Sequence, residues 1–138
     1  MIVFNYETDF TLKNEDKTLK WIKTCIQKEG YELGDINYIF CDDAYLHKMN
    51  VEFLQHDTLT DIISFDYTLG KLVGGDIFIS VERVRENAKE FNVLFENEIH
   101  RVIIHGILHY MKYKDKTDEE KQIMRNKEND SLEILNRN

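Results

Sequence analysis

Four short runs of β-branched and aromatic residues limit what this chain can fold into. Segments with helical spacing or with turn residues separate these runs. The runs cover residues 2–6, 35–41, 61–67 and 75–79, and each has the composition of a β-strand. Between and after them, apolar residues recur every three or four positions, as they do on one face of a helix. The order of these patterns predicts an α+β fold, a small mixed sheet of about four strands packed with about five helices.

The predicted helices and turns are marked by residues that favour such positions. The helices are expected over about 14–30, 42–54, 80–91, 95–111 and from 117 onward. Ser80 would cap the third helix, and Thr117 with Glu120 would form the capping box of the last. Gly70 and the pair Gly74–Gly75 are predicted to form the turn between the third and fourth strands.

Length and composition exclude several classes of protein. The 138 residues suit one domain, since a domain has about 100–200 residues. With 26 acidic and 18 basic residues the net charge is −8, which argues against nucleic-acid binding by the whole surface but not by a local basic cleft. No apolar run approaches the ~20 residues of a membrane span. The first residues have no signal-peptide pattern, and Cys25 and Cys41 form no disulfide framework, so we expect buried thiols and a cytoplasmic location.

The most informative segment is an apolar stretch that ends in two histidines. His105 and His109 lie four positions apart on the predicted helix, so that both imidazoles project from one face. Two ring nitrogens at this spacing can reach one metal ion at about 2.0–2.1 Å. The pair alone is a weak motif, and it also fits two partly buried histidines on an amphipathic helix.

Three neighbouring features favour a metal site. The helix is the most apolar of the chain, and an unpaired polar ring there would cost roughly 1–3 kcal/mol. Gly106, at a cost of about 1 kcal/mol relative to alanine, indicates that something approaches the helix backbone closely. Asp115 follows the predicted helix end, where a returning chain could bring its carboxylate to the same ion. Two histidines, one carboxylate and one open position are typical of a catalytic site in which metal-bound water reacts.

Residues 105–115 read His-Gly-Ile-Leu-His-Tyr-Met-Lys-Tyr-Lys-Asp. They resemble the signature of the YbeY family of bacterial metal-dependent endoribonucleases, His-Gly-x-Leu-His-x-x-Gly-Tyr-Asp-His. Residues 50–65 are similar to a second family pattern, Asn-x-x-aromatic-Arg-x-Lys-Asp-x-x-Thr-Asp-Val-Leu-Ser-Phe, and residues 75–77 to a Gly-Asp-Ile strand. The three matches follow one another in the family's order and spacing.

The resemblance implies a single metal-dependent hydrolase domain over residues 1–138 with a zincin-like metal helix. It implies one Zn²⁺ per chain, or another divalent metal, held by His105, His109 and Asp115, the last at the position of the family's third histidine. The implied activity is endonucleolytic cleavage of single-stranded ribosomal RNA in small-subunit three-prime end maturation and ribosome quality control. The small ribosomal subunit would be the partner. A carboxylate ligand should leave the bound water less acidic than a third imidazole would.

Departures from the family pattern affect the expected RNA contacts. Leu54 stands where family members hold an arginine thought to engage substrate phosphate, and leucine cannot form charge-assisted hydrogen bonds. His56, at the family's lysine position, is one candidate for the missing cation. The other candidates are Lys112, Lys114 and Lys116, for which a solvated surface is the alternative interpretation. Lys112 also occupies the position of the family's glycine before the tyrosine.

Two other classes of function remain open at this stage. A peptide or ester hydrolase is disfavoured, because zinc proteases carry His-Glu-x-x-His and their general base is replaced here by Gly106. The sequence identifies no other general base. A non-catalytic, ribosome-associated module with a structural metal is the second alternative, and the leucine at position 54 favours it.

Overall fold

In the computed structural model, which describes residues 1–54 and 59–137, the chain forms four strands and five helices. In chain order they are β1 Ile2–Tyr6, α1 Glu15–Lys28, β2 Glu32–Cys41, α2 Asp43–Leu54, β3 Ile62–Asp66, β4 Leu72–Ser80, α3 Val81–Glu90, α4 Phe95–Tyr110 and α5 Asp118–Arg137. The predicted α+β class is confirmed. None of the helices in the described ranges is both long enough and apolar enough to span a bilayer.

The four strands form one mixed sheet in the order β1-β2-β4-β3. The pairs β1–β2 and β2–β4 are parallel, and β3 pairs with β4 antiparallel. Alternate side chains of a strand point to opposite faces, so the sheet supports two apolar clusters. The larger cluster includes Tyr38 and Ile77 with residues of α1, α4 and α5, and the smaller one includes Cys41, Ile63 and Leu46 of α2.

The caps predicted at Ser80 and Thr117 are present in the structure, and Asn14 caps α1. The side chain of Asn14 accepts from Lys17 N at the start of α1, and Ser80 accepts from Arg83 N at the start of α3. Thr117 Oγ1 accepts from Glu120 N while Glu120 Oε1 accepts from Thr117 N, which is a complete capping box. Helix boundaries agree with the sequence because these bonds are local.

The turn predicted at Gly74–Gly75 is wrong, since both glycines lie inside β4. The strand begins at Leu72, and Gly70, with φ +60°, lies in the turn before it. A Cβ on Gly75 would overlap the carbonyl oxygen of Phe65 and lie 2.5 Å from Tyr110 Oη. The glycine is therefore explained by close packing of the sheet against α4 and not by a turn.

Helix α4 lies tightly on the sheet. A Cβ added at Gly106 would stand 3.0 Å from Ile77 Cδ1 and 3.3 Å from Ile62 Cδ1, so the close neighbour that this glycine indicated is the sheet itself. The hydroxyl of Tyr110 lies 2.9 Å from Phe65 O and 3.1 Å from Asp76 O, and its one proton is shared between these carbonyls of β3 and β4. The helix is thus held to both strands by apolar contact and by a buried hydroxyl.

We expect Tyr110→Phe to lower the free energy of unfolding by about 1–3 kcal/mol, because two carbonyl oxygens lose a buried donor. Urea denaturation followed by circular dichroism measures this change. Tyr67→Phe is the matched control, since Tyr67 is 63% exposed, and it should change stability by no more than about 0.5 kcal/mol. Equal stability of the Tyr110 variant and the parent would show that the hydroxyl does not hold α4 to the sheet.

Candidate metal centre

The chain reverses direction directly after α4, and the reversal brings Asp115 back to the helix. Lys112 N donates to His109 O over 3.0 Å and Tyr113 N donates to Leu108 O over 3.1 Å, which are the two bonds of a Schellman motif. Lys112 has a φ of 78°, in the left-handed region where glycine is usual. The turn therefore forms even though lysine replaces the glycine of the signature.

The three residues proposed as metal ligands converge on one point. His105 Nε2 and His109 Nε2 are 3.0 Å apart, and Asp115 Oδ2 lies 3.2 Å from each of them. Ligand bonds of 2.0–2.1 Å at tetrahedral angles would place ligand atoms about 3.3 Å apart. The spacing of these three atoms therefore fits one small divalent ion.

The hydrogen bonds behind the two rings leave both Nε2 atoms as acceptors. His109 Nδ1 donates to Tyr113 O over 3.0 Å, because a carbonyl can only accept. His105 Nδ1 lies 2.7 Å from the carboxylate oxygen Oε2 of Glu128 and donates to it. A neutral imidazole with its proton on Nδ1 carries a lone pair on Nε2. Two such lone pairs and a carboxylate oxygen repel one another unless a cation or a proton stands between them.

Glu128 is kept ionised by its neighbours. Its side chain is only 7% exposed, and burial by itself raises the pKa of a carboxyl group. Hydrogen bonds from His105 and Arg101 outweigh burial and hold the pKa of Glu128 below its ordinary value. Burial likewise lowers the pKa of His105, but the bond to Glu128 and the charge of Asp115 outweigh it, and the pKa is raised. The site thus favours positive charge.

Two further acidic residues, Asp61 and Glu98, interact electrostatically with Glu128. Burial raises the pKa of Asp61, and the charge of His105 offsets this only in part. Burial also raises the pKa of Glu98, against the opposing charge of Arg101.

The second histidine is supported through the loop after α4. Tyr113, whose carbonyl accepts from His109, also donates its hydroxyl to Glu29 Oε1 over 2.7 Å. Lys127 Nζ lies 2.9 Å from the same carboxylate oxygen. Glu29 is at the end of α1 and Lys127 is on α5. Both helices therefore hold the loop that positions His109.

One side of the site is open to solvent. The side chains of His105, His109 and Asp115 are 21%, 32% and 38% exposed, so the place where the three side chains meet is reached by solvent. The open coordination position expected from the sequence stays a prediction.

The structure places only some of the proposed RNA contacts. Lys112, Lys114 and Lys116 are exposed, and they alternate in sequence with the half-buried Tyr113 and Asp115. Leu54, the last residue of α2, is 43% exposed. His56, the other proposed cation, lies outside the residues that the structure describes.

Sequence reasoning missed Glu128 and Arg101. The signal that marks Glu128 is its place on α5, where the other buried side chains are Met124, Ser131, Leu132 and Leu135. An acidic residue in a stripe of this kind has to find a partner in the core, because an unpaired buried charge is costly. That pattern identifies a buried acid, but it does not identify the histidine that it serves.

Comparison with known proteins identifies relatives along nearly the whole chain. A family model described as Endoribonuclease YbeY matches residues 3–136. The Endoribonuclease YbeY of Flavobacterium johnsoniae is 59% identical over 135 residues, which are 98% of this chain and 97% of that protein. The protein of the same name from Christiangramia forsetii is 53% identical over 134 residues, 97% of this chain and 94% of its own length. The solution structure of TM1509 from Thermotoga maritima has a TM-score of 0.70 and 27% identity, with 98% of this chain and 89% of that chain covered.

We expect the purified chain to retain about one Zn²⁺ after dialysis, and His105→Ala or Asp115→Ala to lose it, because each variant removes one of the proposed ligand atoms. Inductively coupled plasma mass spectrometry measures the metal content. His47→Ala on α2 is the control and should keep the metal. Equal zinc in the parent and in His105→Ala would contradict the proposed ligand set.

Proposed function

This chain belongs to the endoribonuclease YbeY family, and from that premise we propose that it cleaves single-stranded RNA at a divalent ion held by His105, His109 and Asp115. Membership makes the chain an endoribonuclease with a role in ribosomal RNA processing, and the resemblance seen in its motifs is confirmed. The observation that carries the metal site is the convergence of three acceptor atoms within 3.2 Å of one another.

We propose Zn²⁺ as the ion, because two imidazoles and one carboxylate with an open position suit a catalytic zinc site. Iron, nickel or manganese also accept this donor set. When bound, the ion would polarise a phosphoryl oxygen and lower the pKa of a water molecule at the open position. The chain itself aims both Nε2 lone pairs at the ion and adds the negative charge of Asp115.

The peptide-hydrolase alternative finds no support at Gly106. Zinc proteases place their glutamate base at this position, but here Gly106 packs against Ile77 and Ile62. A glutamate would have to displace the sheet contact that holds α4. Helix α4 therefore lacks the glutamate base of zinc proteases, which disfavours peptide hydrolysis.

We propose that the RNA backbone contacts the lysines beside the ligand loop. Lys112, Lys114 and Lys116 are exposed next to Asp115, and a polyanion gains from positive groups at the edge of an otherwise acidic protein. His56 remains a proposed contact. The site would accept RNA as an unpaired strand, because an open site of this kind reaches a splayed backbone more easily than a duplex.

The finer biological role is also a proposal. We place the activity in three-prime end maturation of the small-subunit RNA and in ribosome quality control, with the small subunit as partner. Residues 1–138 would act as one metal-dependent hydrolase domain, which the packing of the described helices on a single sheet supports. The unpaired, buried thiols of Cys25 and Cys41 are in keeping with a cytoplasmic location.

We expect the chain to cleave end-labelled single-stranded RNA in the presence of Zn²⁺ or Mn²⁺ and to stop when EDTA is added. His109→Ala should cleave at least about 100-fold more slowly, since losing even a hydrogen-bond partner of a ligand costs about 10–100-fold. Denaturing gel electrophoresis gives the rates, and the variant, purified identically, controls for contaminating ribonuclease. Absence of chelator-sensitive cleavage with every divalent metal tried would overturn the proposed metal-dependent activity.

We expect the triple variant Lys112→Ala, Lys114→Ala, Lys116→Ala to bind RNA more weakly and with less dependence on salt. Each lost phosphate contact to a single strand lowers the slope of log K against log salt by about 0.7, so three contacts lower it by about 2. Fluorescence anisotropy with labelled RNA gives the slope. The control removes three exposed lysines of α1 instead: Lys17, Lys20 and Lys23.

Leu54→Arg tests the proposed phosphate contact by adding a positive charge instead of removing one. A charge-assisted hydrogen bond is worth roughly 1.5–3 kcal/mol, so an arginine that reaches the transition state should raise cleavage about ten- to a hundredfold. If the triple lysine variant keeps full activity and Leu54→Arg adds nothing, neither position contacts the phosphate.

A further inference from the structure

Glu128 is a buried acid on the apolar face of α5. Its side chain is 7% exposed, and Leu132, one helical turn further on, belongs to the main apolar cluster. Its two carboxylate oxygens have different partners. Oε2 accepts from His105 Nδ1 over 2.7 Å, and Oε1 accepts from Arg101 Nη1 over 3.0 Å. Arg101 also donates to Asn129 Oδ1 over 2.9 Å, so its guanidinium is held by two successive residues of α5.

We propose that Glu128 is a positioning residue for the metal centre, and that it acts by holding His105 in the tautomer and ring orientation that direct Nε2 to the ion. This proposal rests on the proposed function of the site. A carboxylate can only accept hydrogen bonds, so a ring that shares 2.7 Å with it carries its proton on Nδ1. Helix α5 thereby sets the geometry of a ligand that belongs to α4.

Arg101 compensates the negative charge of this buried carboxylate. An uncompensated charge in the core is strongly unfavourable, and the guanidinium at 3.0 Å offsets it. Arg125 Nη1, 3.8 Å from the same oxygen, adds a weaker contribution from the surface side. Because Arg101 and Arg125 both contact Oε1, Oε2 is left to accept from His105. One carboxylate oxygen is thus neutralised by arginine, and the other orients the histidine ring.

Glutamine at position 128 separates the two roles. It keeps nearly the same shape but has one acceptor oxygen, whereas Arg101 and His105 both donate. If the amide oxygen stays with Arg101, the amide NH₂ faces His105 Nδ1 and favours the opposite tautomer. That tautomer places a proton on Nε2, where the metal has to bind.

We expect Glu128→Gln to bind Zn²⁺ about 10–100-fold more weakly than the parent, which is the usual effect of losing a partner that orients a metal-binding histidine. Competition with a chromogenic chelator measures the affinity. Co²⁺ added in place of Zn²⁺ should show altered visible absorption bands in the variant, because one ligand is misaligned. Circular dichroism in chelator establishes that the variant is folded.

A control variant on the same helix separates this role from general loss of structure. Glu133→Gln removes a charge from the exposed side of α5, where Glu133 pairs with Arg137, and its zinc affinity should stay close to that of the parent.

A measurement on the unsubstituted protein keeps the proposal testable if Glu128→Gln does not fold. The ¹⁵N chemical shifts of the His105 ring in the metal-free protein, measured at a pH at which the ring is neutral, should show the proton on Nδ1. A neutral ring with its proton on Nε2, or equal zinc affinity in the parent and a folded Glu128→Gln, would overturn the positioning role. Zinc binding without RNA cleavage would refute the proposed function and leave this role standing, whereas a parent that binds neither Zn²⁺ nor Co²⁺ overturns both.

Discussion

Helix α4 packs at close range on β3 and β4, and this contact determines where both histidines stand. Gly106 admits Ile77 and Ile62, and the hydroxyl of Tyr110 reaches carbonyl groups of both strands. With its apolar side held in this way, α4 presents its histidines to α5 and to the loop that returns after the helix. Metal ligation depends on such a rigid support, because ligand distances have to be kept within about 0.2 Å.

The surroundings of the two histidines show how a polar site is built on an apolar helix. Each ring donates its Nδ1 proton to a different kind of acceptor, a side-chain carboxylate for His105 and a backbone carbonyl for His109. Two adjacent residues of α5 support these hydrogen bonds. Glu128 accepts directly from His105. Lys127 pairs with Glu29, which accepts from the hydroxyl of Tyr113, the residue whose carbonyl accepts from His109. The last helix is therefore part of the site, although none of its residues belongs to the ligand set.

Three departures from the family signature have different physical consequences. Lys112 takes a left-handed backbone conformation, so the turn keeps its form at some cost in strain. Asp115 brings a carboxylate where the family has an imidazole, which makes the proposed site more negative. Leu54 removes a positive charge from the proposed RNA path. Lys112 therefore leaves the backbone turn unchanged, whereas Asp115 and Leu54 change the charge of the proposed site and of the proposed RNA path.

The sequence by itself determined the fold class and predicted the pairing of His105 with His109 on one helix face, because helix periodicity, helix caps and the spacing of these histidines are local properties. It did not determine the start of β4, where the turn tendency of two glycines was overridden by pairing with β2 and by contact with α4. The pairing of Glu128 with His105, 23 residues apart in sequence, was decided by tertiary structure alone. Only the packing of α5 against α4 brings these two side chains to 2.7 Å, and no local pattern encodes a contact between two separate helices.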